Sequence, residues 1–320
     1  YEYNNTIYTS YNRKTITLLQ ALREIDKIPN SITKFDNSYL NLIQKINKTT
    51  TLTKSEIKLI VSLLKKENLY PILKLFYNAN LFGVIIPYSQ PIINQPQFDG
   101  YHKHPVDIHI LNSIKSLNYI KDDFVKEIYD SLTNFEKDTL KLAVLFHDIG
   151  KGRSSDHHIL GENIFKKIAK FMELDSLKTI LISKLIRYHN IMNKVATTED
   201  IYSQDIILHF TGLLETPQTL KLLYILTYAD INAVGSNVYK SNTSSLLYTL
   251  YNQSLPAFEN KELLKVSSRR FAKENTITKS KQFNELSRVF KKKILSIKSN
   301  ELFLKYKASD IIDISIKAYN

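Results

Sequence analysis

All eight histidines of this 320-residue chain fall between His102 and His209, and one of them opens the string His147-Asp148-Ile149-Gly150-Lys151. The run before it, Leu142-Ala143-Val144-Leu145-Phe146, is wholly apolar. An adjacent imidazole and carboxylate are costly to bury there without a partner. A divalent cation takes imidazole nitrogen and carboxylate oxygen together and removes that cost. His109 lies upstream, His157 and His189 downstream, and Asp230 ends a later apolar run. The order predicts donors from several helices meeting at one centre. His109, His147, Asp148 and Asp230 form the first ligand set, and His157 with His189 completes a second. Neutral imidazoles and carboxylates suit Mn, Mg, Fe, Ni or Zn, as one ion or two. Two such ions would hold an attacking hydroxide and a phosphoryl oxygen between them, so phosphate-ester hydrolysis is the chemistry expected.

Weaker candidates surround this set. Lys151, three residues after Asp148, either stabilises charge on a phosphate oxygen or caps the helix end, and is taken with Asp148 as a catalytic pair. Asp230 sits where a negative charge opposes the helix dipole, which favours a cation beside it. His189 follows Arg187-Tyr188 at a helix end. His157 lies in a polar loop four residues before Gly161, and its neighbour His158 is expected to face solvent. Arg153, Asp156 and His104 are candidate substrate contacts, although a surface position suits His102 and His104 equally. His209, inside Ile206-Ile207-Leu208-His209-Phe210, reads as a satisfied core histidine.

The elements that must carry these residues are helices. Only seven glycines and eight prolines interrupt the chain, and six of the glycines lie between Gly100 and Gly235. Helix-period apolar stripes recur, as in Ile110, Leu111, Ile114 and Leu117, which predicts an all-α fold. Residues 1–90 read as an N-terminal helical lobe, with Ser55 capping one helix and Pro71 in the first turn of another. Pro87, Pro91 and Pro96 break the pattern. A helical bundle then runs over 91–256, followed by a basic helical segment over 257–320. Residues 259–307 hold 14 Lys and Arg against 5 Glu, which accounts for much of the net charge of +13. A solvated helix face explains that charge, and no nucleic-acid partner is expected. With no cysteine, disulfides and thiolate metal sites are excluded. No apolar run reaches membrane-spanning length, and a cytoplasmic protein is expected. Tyr1 and Asn320 read as cut ends of a longer chain.

Several motifs carry a resemblance. Gln97-Phe98-Asp99-Gly100-Tyr101-His102-Lys103-His104-Pro105-Val106-Asp107-Ile108-His109, the string 147–153 with Asp156-His157, and 222–235 resemble the HD superfamily of metal-dependent phosphohydrolases. Within it they look most like the HD domain of bifunctional uridylyltransferase/uridylyl-removing enzymes. The resemblance implies an HD helical bundle and a hydrolase that removes UMP from a tyrosine of the PII signal protein in bacterial nitrogen regulation. It also implies a metal-held hydroxide attacking phosphorus, with Lys151 opposite the developing charge. No nucleotidyltransferase Gly-Ser motif and no ACT module accompanies the match. An HD hydrolase of a small nucleotide (a dNTP, a cyclic dinucleotide or an alarmone) and a non-catalytic regulatory HD domain are the alternatives.

Overall fold

Scarce helix breakers and repeated capping signals give a chain built almost wholly of helices in the computed structural model. It describes residues 1–320 except 11, 48–50, 98–103, 155, 236–238, 240, 260, 298 and 320, together with the side chains of 261–265, 268 and 319. His102 and part of the motif before His109 therefore lie outside the described residues. Three two-residue strands, β1 (Glu2–Tyr3), β2 (Thr6–Ile7) and β3 (Lys34–Phe35), form a small sheet of order β1-β2-β3. β1 runs antiparallel to β2, and β2 parallel to β3. The helices that follow the first strands are α1 (Leu18–Asp26), α2 (Asn37–Ile43), α3 (Lys54–Leu64), α4 (Leu69–Asn78) and α5 (Phe82–Ile85). Next come α6 (Val106–Asn118), α7 (Asp123–Asp130), α8 (Asn134–Phe146), α9 (His157–Phe171) and α10 (Ser176–Tyr188). Beyond them are α11 (Ile191–Thr198), α12 (Gln204–Leu214), α13 (Pro217–Val234) and α14 (Ser241–Ser254). The chain closes with α15 (Lys261–Lys279), α16 (Lys281–Asn284), α17 (Arg288–Leu295), α18 (Asn300–Lys305) and α19 (Ala308–Tyr319). No helix among the described residues is long and apolar enough to cross a membrane.

Packing divides the chain into two compact units, Tyr1–Ile191 with Lys221–Ser241, and Met192–Leu220 with Asn242–Asn320. In the first unit the N-terminal helices pack directly on the bundle, α4 against α6 and α3 against α8. α8 opens with a capping box between Thr133 and Glu136, each side chain accepting from the other residue's backbone N–H. Thereafter Leu140 and Leu142–Phe146 are buried, because α3, α6 and α10 surround the helix. Burying each such side chain contributes roughly 1.5–3 kcal/mol. Pro71 stands in the first turn of α4, as its fixed φ predicts. The cap of α3 is Thr53 and not Ser55, since Glu56 stands at the third helical position after Thr53 and completes a capping box there. The second unit has a core of its own made by Ile277, Phe283, Ile294, Phe303, Ile311 and Ile312. There α15 packs against α12, α18 and α19, and Arg270 stacks on Phe303 at 4.5 Å.

The turn after α8 is where backbone crowding matters most. A Cβ on Gly150 would stand 2.0 Å from the carbonyl oxygen of His157, so only glycine lets the start of α9 sit against this turn. Gly152 adopts φ +73, and a Cβ there would meet the carbonyl of Pro91 at 2.4 Å. Arg153 ties the same loop down, donating to the carbonyls of Ile149, Lys151 and Tyr88.

Candidate metal centre

Five helices bring the chemistry together. His109 lies in the first turn of α6, His147 is the C-cap of α8 with Asp148 next to it, and Asp230 lies in α13 one turn before its end. His157 is the first residue of α9, and His189 is the C-cap of α10. His109 Nε2 is 2.8 Å from Asp230 Oδ1, 3.3 Å from His147 Nε2 and 3.7 Å from Asp148 Oδ2. His147 Nε2 is 3.4 Å from Asp148 Oδ2 and 3.5 Å from Asp230 Oδ1. His109, His147, Asp148 and His189 are all buried.

Tautomers follow from the partners. His147 Nδ1 donates to the carbonyl of Val144 and His189 Nδ1 to that of Ile186, each at 2.8 Å. A carbonyl can only accept, so each Nδ1 carries a hydrogen and each Nε2 points inward. Burial alone would lower the pKa of His147, but the carboxylates of Asp148 and Asp230 outweigh it and raise it to about 10. Against the opposing effect of burial, His147 and Lys151 hold Asp148 well below the usual carboxylate range, and His109 and His147 do the same for Asp230. The buried carboxylate of Asp148 and the part-buried one of Asp230 therefore hold positive charge in their midst, and the same field favours a cation.

A second cluster adjoins the first. One ring nitrogen from each of His157, His158 and His189 lies within 4.8 Å of the others, and the His189 ring is 5.2 Å from that of His147. Burial lowers His157, lowers His158 to about 4 and lowers His189 to about 3, which keeps these imidazoles neutral as ligation requires. Asp148 stands between the clusters. Its Oδ2 faces His109 and His147, while its Oδ1 is 3.6 Å from His189 Nε2. That Oδ1 is buried and accepts no hydrogen bond among the described residues. An orphaned buried carboxylate oxygen beside inward-facing imidazole nitrogens fits a divalent cation. The side chains present could hold a divalent cation in two groups, His109 with His147 and Asp230, and His157 with His158 and His189, and Asp148 lies beside both.

The remaining candidates divide. Lys151 Nζ donates to Asp148 Oδ2 at 2.8 Å and to Gln97 Oε1 at 2.6 Å, with a side chain still 20% exposed, so it stands at the mouth of the centre. Arg153 is occupied by three carbonyls of its own loop and its neighbour. Asp156 is the N-cap of α9, accepting from the backbone N–H groups of His158 and Ile159. His104 is exposed, and its backbone carbonyl accepts from Gln97 Nε2.

His158, expected in solvent, is half-buried beside His157, with ring centroids 3.8 Å apart, and its Nε2 meets Asn190 Nδ2 at 3.0 Å. Asp156 as a helix cap was the available signal, since it places both histidines in one first turn. His209 is not a core residue. Its side chain is 49% exposed and stands 3.9 Å from Glu274 within the second unit. Asp107 was passed over: it is fully buried, and its Oδ2 accepts from Tyr77 Oη at 3.3 Å and the Asn94 N–H at 2.8 Å.

Residues 106–231, which carry His109, His147-Asp148 and Asp230 in that order, match the HD domain family. Proteins similar over this region are bifunctional uridylyltransferase/uridylyl-removing enzymes. That of Zymomonas mobilis is 33% identical over 186 residues, covering 57% of this chain and 20% of its own length. Those of Ruegeria pomeroyi and Azospirillum brasilense are 32% and 33% identical, covering 62% and 55% of this chain and 22% and 19% of theirs. The chain thus spans about a fifth of the length of the curated relatives it matches.

Proposed function

We propose that this centre is a metal-dependent phosphodiesterase that cleaves a nucleotidyl ester and releases UMP from a uridylylated protein, with the PII signal protein as substrate and the cytoplasm as its location. The observation that carries the hydrolytic reading is Asp148, whose two oxygens face two separate imidazole clusters. The uridylyl specificity rests on the names of the relatives that align over the HD region. Bound divalent ions would supply Lewis acidity toward a phosphoryl oxygen and lower the pKa of a water. The chain's own residues do the rest. His109, His147, His157, His189, Asp148 and Asp230 would hold the ions, and the carbonyls of Val144 and Ile186 fix two of the rings. Lys151 holds a positive charge at the mouth, where a phosphodiester's oxygens gather charge in the transition state.

The test is to load the protein with Mn and offer it UMP-modified PII beside a panel of dNTPs, cyclic dinucleotides and guanosine alarmones. Release of UMP from the protein substrate, abolished in the His147→Ala/Asp148→Ala variant, is the expected result. Hydrolysis of a free nucleotide in its place overturns the substrate assignment. Equal hydrolysis of bis-p-nitrophenyl phosphate by wild type and the double variant overturns the enzyme itself.

A further inference from the structure

The first unit also contains a cavity of about 790 Å³ whose lining includes none of the proposed cation ligands. It lies among the end of α4, α5, the segment 87–94 and Phe171 at the end of α9. Its size is that of a site for a compact organic molecule. Among the described residues no Asp, Glu, Lys, Arg or His lines it, so none of them compensates a phosphate or an ammonium group there. Four aromatic rings do line it, Tyr77, Phe82, Tyr88 and Phe171. Two of them, Tyr88 and Phe171, are 48% and 41% exposed. Exposed rings at a cavity rim offer stacking faces to a planar ligand.

Polar complementarity comes from amides. Asn78, Asn80, Gln90 and Asn94 line the cavity, and their side chains are exposed with no hydrogen-bond partner among the described residues. An amide offers one acceptor and two donors, the set that reads the edge of a nucleobase.

The backbone carries a third sign. Asn80, Tyr88 and Asn94 have φ of 56°, 63° and 56°. Asparagine tolerates this left-handed region, whereas for tyrosine it is strained, and such outliers gather at ligand clamps. Tyr88 is held there by its neighbours: Arg153 Nη2 donates to its carbonyl at 3.0 Å.

We propose that this cavity binds an uncharged nucleoside or nucleobase, its ring stacked on Tyr88 and Phe171 and its edge read by the amides. The inference is independent of the metal-centre reading. The experiment is isothermal titration of adenosine, guanosine, cytidine and uridine, and of their 5′-monophosphates, into wild type, Tyr88→Gly, Phe171→Ala and His147→Ala. Glycine takes φ 63° without strain, so Tyr88→Gly removes the ring while keeping the fold, and an unlowered melting temperature reports this. Expected is saturable binding of at least one nucleoside, about tenfold or more weaker for its monophosphate, about tenfold or more weaker in each ring variant, and unchanged in His147→Ala. Four outcomes overturn the proposal: no saturable binding up to the solubility limit, a monophosphate bound as tightly as its nucleoside, binding unmoved by both ring variants, or binding lost in His147→Ala.

Discussion

Gly150→Ala is the sharpest probe of how the centre is held. A methyl group at residue 150 would lie 2.0 Å from His157 O and 2.7 Å from Gly161 N, both backbone atoms that no rotamer change can move. Ordinary contact begins near 3.4 Å, so the HD turn and the start of α9 must part by about 1.4 Å. Overpacking of this kind costs about 1–3 kcal/mol. In a unit of this size that lowers the melting temperature by about 2–4 °C per kcal/mol. The separation carries His157 away from Asp148 and His189, and a misplacement of about 1 Å lowers turnover roughly 10²-fold. Three readouts are needed: thermal melting, metal content by elemental analysis, and bis-p-nitrophenyl phosphate hydrolysis under Mn. Gly235→Ala is the control, since a Cβ there meets nothing within 4 Å. The expected pattern is a destabilised Gly150→Ala that retains the ion on His109, His147 and Asp230, loses ion at the second cluster, and turns over slowly. Wild-type stability, metal content and rate in Gly150→Ala would refute the claim that this glycine sets the spacing of the centre.

Lys151→Met is expected to keep its metal content and lose about 10²-fold in turnover, because a charge placed for the transition state is gone while the ligands stay. Unchanged turnover in a metal-loaded variant removes Lys151 from the reaction. Tyr39→Phe tests the first unit's polar core at high pH. Tyr39 is buried and donates to Glu24, which itself accepts two bonds from Arg13, and burial first and Glu24 second raise its pKa above the ordinary value near 10. The folded state therefore holds this proton to higher pH than the unfolded state. Its stabilising contribution is full below about pH 10 and is lost as pH rises through the folded pKa. Melting temperatures taken from pH 9 to 11.5 should fall more steeply in wild type than in Tyr39→Phe, and parallel curves would contradict the assignment.

Much of the centre was readable because its key pair announces itself in one dimension. His147-Asp148 follows a run apolar on every side, so burial and a partner for both groups are implied by the sequence itself. The flanking side chains that converge on this pair were readable by order, and the helices by period and caps. What failed depends on packing between helices. The composition of the loop 153–156 does not reveal that Arg153 and Asp156 both bond to the backbone around them. His158 is drawn inward only because Gly150 lets the first turn of α9 approach the HD turn. His209 was a matter of angle. At about 100° per residue it lies opposite the buried stripe of Ile207, Phe210, Thr211 and Leu214, so its apolar neighbours in sequence do not surround it in space.

The pairing of His109 with Asp230 spans 121 positions, whereas His109 and His147 are 38 apart. Closing the longer loop costs about 1 kcal/mol more chain entropy. A nascent polypeptide leaving the ribosome thus exposes five of the six imidazole and carboxylate donors well before the sixth exists. On the function proposed above, an ion held by His109, His147 and Asp230 would have to wait for α13, so that cation would latch an assembled bundle and not seed its folding.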